Sequence, residues 1–396
     1  MAQSKQYNFD ELIKREGTNS VKYDLRGAYF GKENIIPMWV ADMDFRSPDF
    51  VVEAIKERTN HEVYGYSVKP DSFYTSIIRW LKERHNWKVK KEWIVFSPGI
   101  VPALNMAILA YTSPGDEVVV QPPVYFPFFS AVTNHDRNLV KNNLFLKEGK
   151  YFIDFQDLKN KITRHTRLFL FCSPHNPVGR VWNKQELEKI GCLCVENNIT
   201  LIADEIHHDL VYPAHNHILM ASLSDEIANH TVTCIAPSKT FNLAGLASSA
   251  LIIPNRELRT AYMKILDDIH VGMGNIFGVT AMEAAYTYGA DWVDQLMQYL
   301  KSNLDLMTDY FEKFIPEINV IQPEATYLVW LDCRELKMND KELKNFFISK
   351  VKIGLNDGAT FGEPGKGFQR MNIACPRATL IESLRRIESA VKKYIR

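Results

Sequence analysis

Three side chains of different chemistry stand just beyond three separate apolar runs of this 396-residue chain. Lys239 follows Val232–Ala236, in the stretch Pro237-Ser238-Lys239-Thr240-Phe241-Asn242-Leu243-Ala244-Gly245-Leu246. Burial among small and apolar neighbours lowers an amine from its ordinary pKa of about 10.4, which equips it as a nucleophile and base. The plain alternative is a lysine that packs its stem and sends its head to solvent. Asp204 follows Thr200–Ala203 and opens Asp204-Glu205-Ile206-His207. A carboxylate at the end of a buried strand is costly unless it meets a cation. That cation could be a protonated ring nitrogen of a ligand, or the partner in an ordinary buried ion pair. Asn176 follows Leu168–Cys172, in Ser173-Pro174-His175-Asn176-Pro177-Val178-Gly179. Two prolines and a glycine make a rigid turn that can present its amide, although an Asx turn without function has the same residues. A fourth segment, Ser97-Pro98-Gly99-Ile100-Val101-Pro102, links Trp93–Phe96 to an apolar helical pattern. Free N–H groups at such a helix start bind phosphate, and a simple strand-to-helix turn also explains them.

The elements that must position these residues can be read from the pattern of apolar runs. Trp93–Phe96, Glu117–Gln121, Leu168–Cys172, Thr200–Ala203, Val232–Ala236 and Ala250–Ile253 are short and rich in β-branched residues. Amphipathic stretches such as Lys184–Asn197 separate several of them. The alternation predicts an α/β fold with a mainly parallel sheet, and the nearly continuous apolar runs predict strands covered on both faces. Ligands bind such sheets beyond the carboxyl ends of the strands, where Asn176, Asp204 and Lys239 fall. After Tyr288-Gly289 a long helical pattern, Trp292 to Phe314, leads to strands around Val320 and Tyr327–Leu331, a helix from Asp340 and a terminal helix. The expectation is a large domain over 47–288, with a smaller α+β domain built from 1–46 and 289–396.

Composition narrows the possibilities. Lys plus Arg and Asp plus Glu are 47 each, so the zero formal charge gives no electrostatic footprint for nucleic acid or an anionic membrane. No run reaches the roughly 18 apolar residues of a membrane helix, and the first residues are too polar for a secretory signal. Cysteines stand at 172, 192, 194, 234, 333 and 375. Without a Cys-x-x-Cys pair or zinc spacing they read as reduced core thiols, so no metal is expected and the cytoplasm is the default compartment.

Motifs along nearly the whole chain resemble the fold type I, aspartate-aminotransferase-like enzymes that use pyridoxal 5′-phosphate (PLP), and within them the MalY/PatB group of carbon–sulfur β-lyases. The resemblance is carried by PMWVADMDFRSP (37–48), VYGY (63–66), SPGIVPAL (97–104) and PPVYFPF (122–128). It continues in SPHNPVGRVW (173–182), ADEIHHDL (203–210), PSKTFNLAGL (237–246) and GFQRMNIACPR (367–377). It implies a Schiff base on Lys239, which later moves the α-proton, and an Asp204 that keeps the ring nitrogen protonated. It implies that Asn176 hydrogen-bonds the ring oxygen, with His207 near the same atom and Tyr125 stacked on the ring. Tyr125 could equally be a core tyrosine. Gly99, Ile100, Val101 and Ser238 are implied to hold the phosphate. Tyr64 is implied to reach in from a second subunit, which makes the expected assembly an active-site-sharing homodimer and puts Tyr64 with Lys239 and Asp204 in the catalytic set. Arg370 is implied to clamp the substrate carboxylate near the backbone of Val40 and Ala41; an ion pair is its alternative. Ala247 stands where many aminotransferases have a phosphate-anchoring arginine, and Ala236 where they often have serine, a departure that favours the lyase group.

The implied reaction is α,β-elimination from an amino-acid thioether, releasing a thiol, pyruvate and ammonia, with cystathionine as the expected substrate. An aminotransferase would use the same lysine and aspartate, and a regulatory binding role is a third reading. Tyr327, Phe128 and Trp39 are candidates for the side-chain pocket, and each could equally be a core aromatic.

Overall fold

A computed structural model describes residues 5–395. The β-branched runs form strands at Ile94–Ser97, Glu117–Val120, Thr166–Cys172, Thr200–Asp204, Thr231–Ile235 and Ser249–Ile252, each within one or two residues of expectation. The Val, Ile and Thr side chains favour this pleated, packed surface. Trp93 lies outside its expected strand because it closes a 3-10 turn, Lys91–Trp93. Asn138–Lys141 adds an edge strand that the sequence pattern does not announce; its alternation is weak and its residues are half-buried or exposed.

These seven strands form one sheet, in the order 94–97, 249–252, 231–235, 200–204, 166–172, 117–120, 138–141. Only Ser249–Ile252 runs antiparallel to its neighbours, so the fold is α/β with a mostly parallel sheet. The chain reverses its direction of travel across the sheet beside Glu117–Val120, and parallel α/β sheets place their ligand crevice at such a switch point. A second, antiparallel sheet joins Asn319–Ile321, Leu328–Asp332, Phe368–Asn372 and Asn356–Asp357 in that order. The long helix Ala290–Phe314 and the terminal helix Arg377–Ile395 pack beside it. An apolar cluster runs from Phe9 through Phe73, Ile235 and Trp292 to Val391, so packing continues across residues 46 and 289 without a break.

The cysteines are free; five are buried, but Cys192 is exposed on the solvent side of helix Lys184–Glu196. Its amphipathic context did not put it in the core. No helix among the described residues is long and apolar enough to cross a membrane.

Candidate active site

A cavity of about 220 Å³ opens at the carboxyl ends of the parallel strands. Gly99 to Pro102, Tyr125, Asn176, Asp204, Ser238 and Lys239 meet there from segments scattered over 140 residues of chain. The sheet brings them together because each follows, or ends, a strand that points the same way.

Lys239 stands on a four-residue helix, Pro237–Thr240. Its Nζ donates to the Ala41 carbonyl at 2.6 Å, and the Tyr327 hydroxyl donates to the same oxygen at 3.0 Å. Burial and then Arg370 lower the amine to about 8, while Asp42 and Asp204 pull the other way. A half-buried lysine near 8 spends part of its time neutral at physiological pH.

Asp204 ends its strand in a buried position and accepts one hydrogen bond, from the Ile206 N–H at 3.2 Å. Burial pushes its carboxyl up to about 7, partly offset by that bond and by Lys239. His207 is buried beside it, and its Nδ1 has no protein partner. Burial, Lys239 and Arg370 hold this imidazole well below its ordinary range, so it is neutral. Tyr125 is half-buried and feels both Arg370 and Asp204; burial raises its phenol.

The turn that carries Asn176 is fixed by Gly179. Its φ is +69°, and a Cβ there would lie 2.5 Å from Pro323 Cβ. The Gly179 N–H donates to the His175 carbonyl at 2.7 Å, and the Gly179 carbonyl accepts from Glu324 at 2.8 Å. The lead into the antiparallel sheet is thereby tied to the turn. From that sheet comes Arg370, also buried. Its Nη1 donates to Asn176 Oδ1 at 2.9 Å, and its Nη2 to the Trp39 carbonyl at 3.0 Å and Asn356 Oδ1 at 2.6 Å. Its Nε has no partner, and burial lowers the guanidinium to about 10. Its acceptors among the described residues are two amide oxygens and one backbone carbonyl, with no carboxylate, so the ion-pair alternative for Arg370 is not the one the fold adopts.

The same cavity is lined by the start of helix Ile100–Tyr111, which begins after Gly99, whose φ of +135° few residues but glycine adopt. The first-turn N–H groups of a helix have no intrahelical acceptor and carry partial positive charge. Ser238, Ser248 and Ala247 line the cavity as well. Ala247 is itself left-handed, at φ +46°.

Not every expected residue lies here. Tyr64 is 54% exposed, and its hydroxyl donates to the Thr59 carbonyl at 3.0 Å. It lines a separate surface cavity with Phe277, outside the Lys239 cavity of its own chain. Val40 lines a neighbouring cavity with Ala41, and its carbonyl accepts from Asn372 Nδ2 at 2.7 Å. Trp39 and Phe128 are core aromatics; Trp39 packs on Tyr29 and Phe30. Of the three aromatics considered for a side-chain pocket, Tyr327 is the one whose side chain hydrogen-bonds a cavity residue, Ala41. Cys172, expected only as a core thiol, also lines the cavity, and Asp42 and Ser248, which the sequence did not single out, belong to the surroundings. Cys172 ends its strand, and Ser248 immediately precedes the antiparallel strand Ser249–Ile252, so both stand at the same sheet edge as the expected residues, a signal that could have found them.

The residues fit PLP. A buried carboxylate with one hydrogen bond suits a ring N–H, an unpartnered imidazole nitrogen and an asparagine amide sit beside it, and a helix start lies where a phosphate would go. Independent comparisons agree. The family model "Aminotransferase class I and II" matches residues 33–387. Cystathionine beta-lyase PatB of Bacillus subtilis is 46% identical over 385 residues, covering 97% of this chain and all of that protein. A PLP-bound structure from Clostridium difficile 630 that carries an aminotransferase name superposes with TM-score 0.96 at 42% identity, covering 98% and 100% of the two chains. The PLP-bound C–S lyase of Staphylococcus hominis gives TM-score 0.92 at 35% identity, covering 98% and 99%. A buried lysine, aspartate and asparagine at the ends of parallel strands, with sequence likeness over almost the full length, place this chain in the aminotransferase class I and II family.

Proposed function

We propose that this chain is a PLP-dependent carbon–sulfur β-lyase that cleaves cystathionine or a related cysteine thioether. The observation that carries the proposal is the convergence of Lys239, Asp204 and Asn176 on one cavity, with Arg370 hydrogen-bonded to Asn176 at its edge. Bound there, PLP supplies an aldehyde that links to an amine and a protonated ring that withdraws electrons from the substrate Cα. Lys239 holds the aldehyde and, as the neutral amine, removes the Cα proton once the substrate amine has replaced it. Asp204 holds a proton on the ring nitrogen; meeting that cation returns the carboxyl from about 7 toward its ionised form. Asn176 and neutral His207 flank the ring oxygen, and Tyr125 orients the ring by stacking. Gly99, Ile100, Val101 and Ser238 take the phosphate. Arg370 binds the substrate carboxylate, using a guanidinium already oriented by Asn176, Asn356 and the Trp39 carbonyl, beside the backbone of Val40 and Ala41. The electron pair left at Cα then forms the Cα–Cβ double bond as a thiolate leaves Cβ, and the released enamine takes up one water to give pyruvate and ammonia.

Tyr64, exposed on its own chain, completes the partner's site in a cytoplasmic homodimer. The 47–288 segment forms the cofactor-binding domain, and 1–46 with 289–396 the smaller one. Ala247, in place of a phosphate-anchoring arginine, leaves the helix start, Ser238 and the partner subunit to hold the phosphate. The aminotransferase reading is kept alive by the name of the C. difficile relative. Incubation of the holoenzyme with cystathionine and no keto acid separates the two. Pyruvate released over many turnovers is the expected result; one stoichiometric conversion of the cofactor would support the aminotransferase.

A further inference from the structure

Outside the cavity lining, a second set of buried polar groups touches the turn that carries Lys239. The Asp209 side chain is fully buried. Its Oδ1 accepts from Trp80 Nε1 at 3.0 Å and faces His85 Nε2 at 2.9 Å. Its Oδ2 accepts from Thr240 Oγ1 at 3.0 Å. His208 Nε2 lies 3.4 Å from that same oxygen, while its Nδ1 is 2.6 Å from the Glu205 carbonyl, which assigns the Nδ1 proton. Three elements therefore meet at one carboxylate: helix Asp71–His85, the loop after Asp204 and the Lys239 turn.

The Lys239 turn needs such an anchor. At four residues it is far too short to hold its own conformation. Adjacent helical side chains diverge by about 100°. Fixing Thr240 on one side therefore sets the direction in which Lys239 leaves the turn. We propose that Asp209, acting through Thr240, is a positioning residue that fixes the rotation of Pro237–Thr240 and so the place of the Lys239 amine. The inference rests on the reading of Lys239 as the cofactor-linking residue. The ligand atoms of His85, His208 and Asp209 lie within 4.8 Å of one another, as in a metal site. Both Asp209 oxygens, however, already accept N–H or O–H donors, which favours the hydrogen-bonded role.

The first step of the test is borohydride reduction of wild-type holoenzyme. Failure to trap cofactor at residue 239 would overturn the parent reading, independently of Asp209. Next, Thr240→Val and Thr240→Ser are followed by absorbance against pH, kcat, KM and melting temperature. Arg370, Asp42, Asp204 and His207, which face the amine, are unchanged in both. Thr240→Val is expected to displace the absorbance midpoint by roughly half a unit or more and to lower kcat about ten-fold, with KM within about two-fold. Thr240→Ser, which keeps the hydroxyl, restores both. An unmoved midpoint in Thr240→Val, with or without a fall in kcat, overturns the proposal. So does a Thr240→Ser variant as impaired as Thr240→Val, or a stoichiometric zinc ion lost on His85→Ala. Should Thr240→Val not fold, Asp209→Asn is titrated in its place and must show the same displacement.

Discussion

Asp204 and Asp209 lie five residues apart on one connection, both buried, and their surroundings drive them in opposite directions. Asp204 accepts one backbone N–H, and its carboxyl is pushed up to about 7. Asp209 accepts from Trp80 and Thr240 and faces two histidines, and its carboxyl is held well below the carboxylate range despite burial. The difference separates a carboxyl that the protein leaves largely unsatisfied from one whose needs the protein already meets. Burying a charge is costly in either case. Asp209 offsets the cost within the chain, whereas Asp204 receives a single N–H, and under the proposed function a cofactor cation would complete its compensation.

The strongest way to break this contrast is to replace each carboxylate by its amide. Asp204→Asn is expected to keep the melting temperature of the holoenzyme within a few degrees. It should lower kcat by about 10²–10³, the loss typical of a charge-stabilising group in a closed site. Asp209→Asn should show the reverse weighting, a stability loss of about 2 kcal/mol with a smaller fall in kcat, because hydrogen bonds to a charged acceptor are worth about that much. Denaturant unfolding and steady-state kinetics on both variants check the pair; equal patterns would erase the distinction.

A smaller effect is expected at Arg370. Arg370→Lys keeps the charge but loses the planar fork and the contacts to Asn176 and Asn356. KM for the amino-acid substrate should rise about ten- to a hundred-fold, with a lesser change in kcat, read from initial rates of pyruvate release.

The smallest and most diagnostic effect concerns the pH response. Lys239 in the folded protein stands near 8, below its ordinary 10.5, and only the neutral amine attacks an aldehyde. The rate at which apoprotein takes up PLP, followed by absorbance, should therefore rise with pH through about 8 and level off above it. A profile flat from pH 7 to 9 would contradict the burial argument for both Lys239 and Asp204, which share one environment.

Much of this arrangement was legible beforehand, for identifiable reasons. Strand identity followed from β-branched runs, so Thr200–Asp204 and Thr231–Ile235 fell within a residue of expectation. The rule that ligands gather beyond strand ends then selected Asn176, Asp204 and Lys239 together. The edge strand Asn138–Lys141 escaped because a half-solvated strand needs little apolar pattern. The Asp209 cluster escaped although ADEIHHDL was in view, because His85 and Trp80 are more than 120 residues away in the chain.

What the amino-acid order determined by itself was local: which runs extend, where turns fall, and which reactive residues follow them. Those outcomes depend on short-range sterics and on apolar periodicity, which a linear string contains. Only the tertiary structure decided that Ala41 and Tyr327 would meet Lys239, that Arg370 would reach Asn176, and that an aspartate at a strand end and another five residues later would have opposite environments. Desolvation and hydrogen-bond partnership depend on what packs around a group, and those neighbours come from distant parts of the chain.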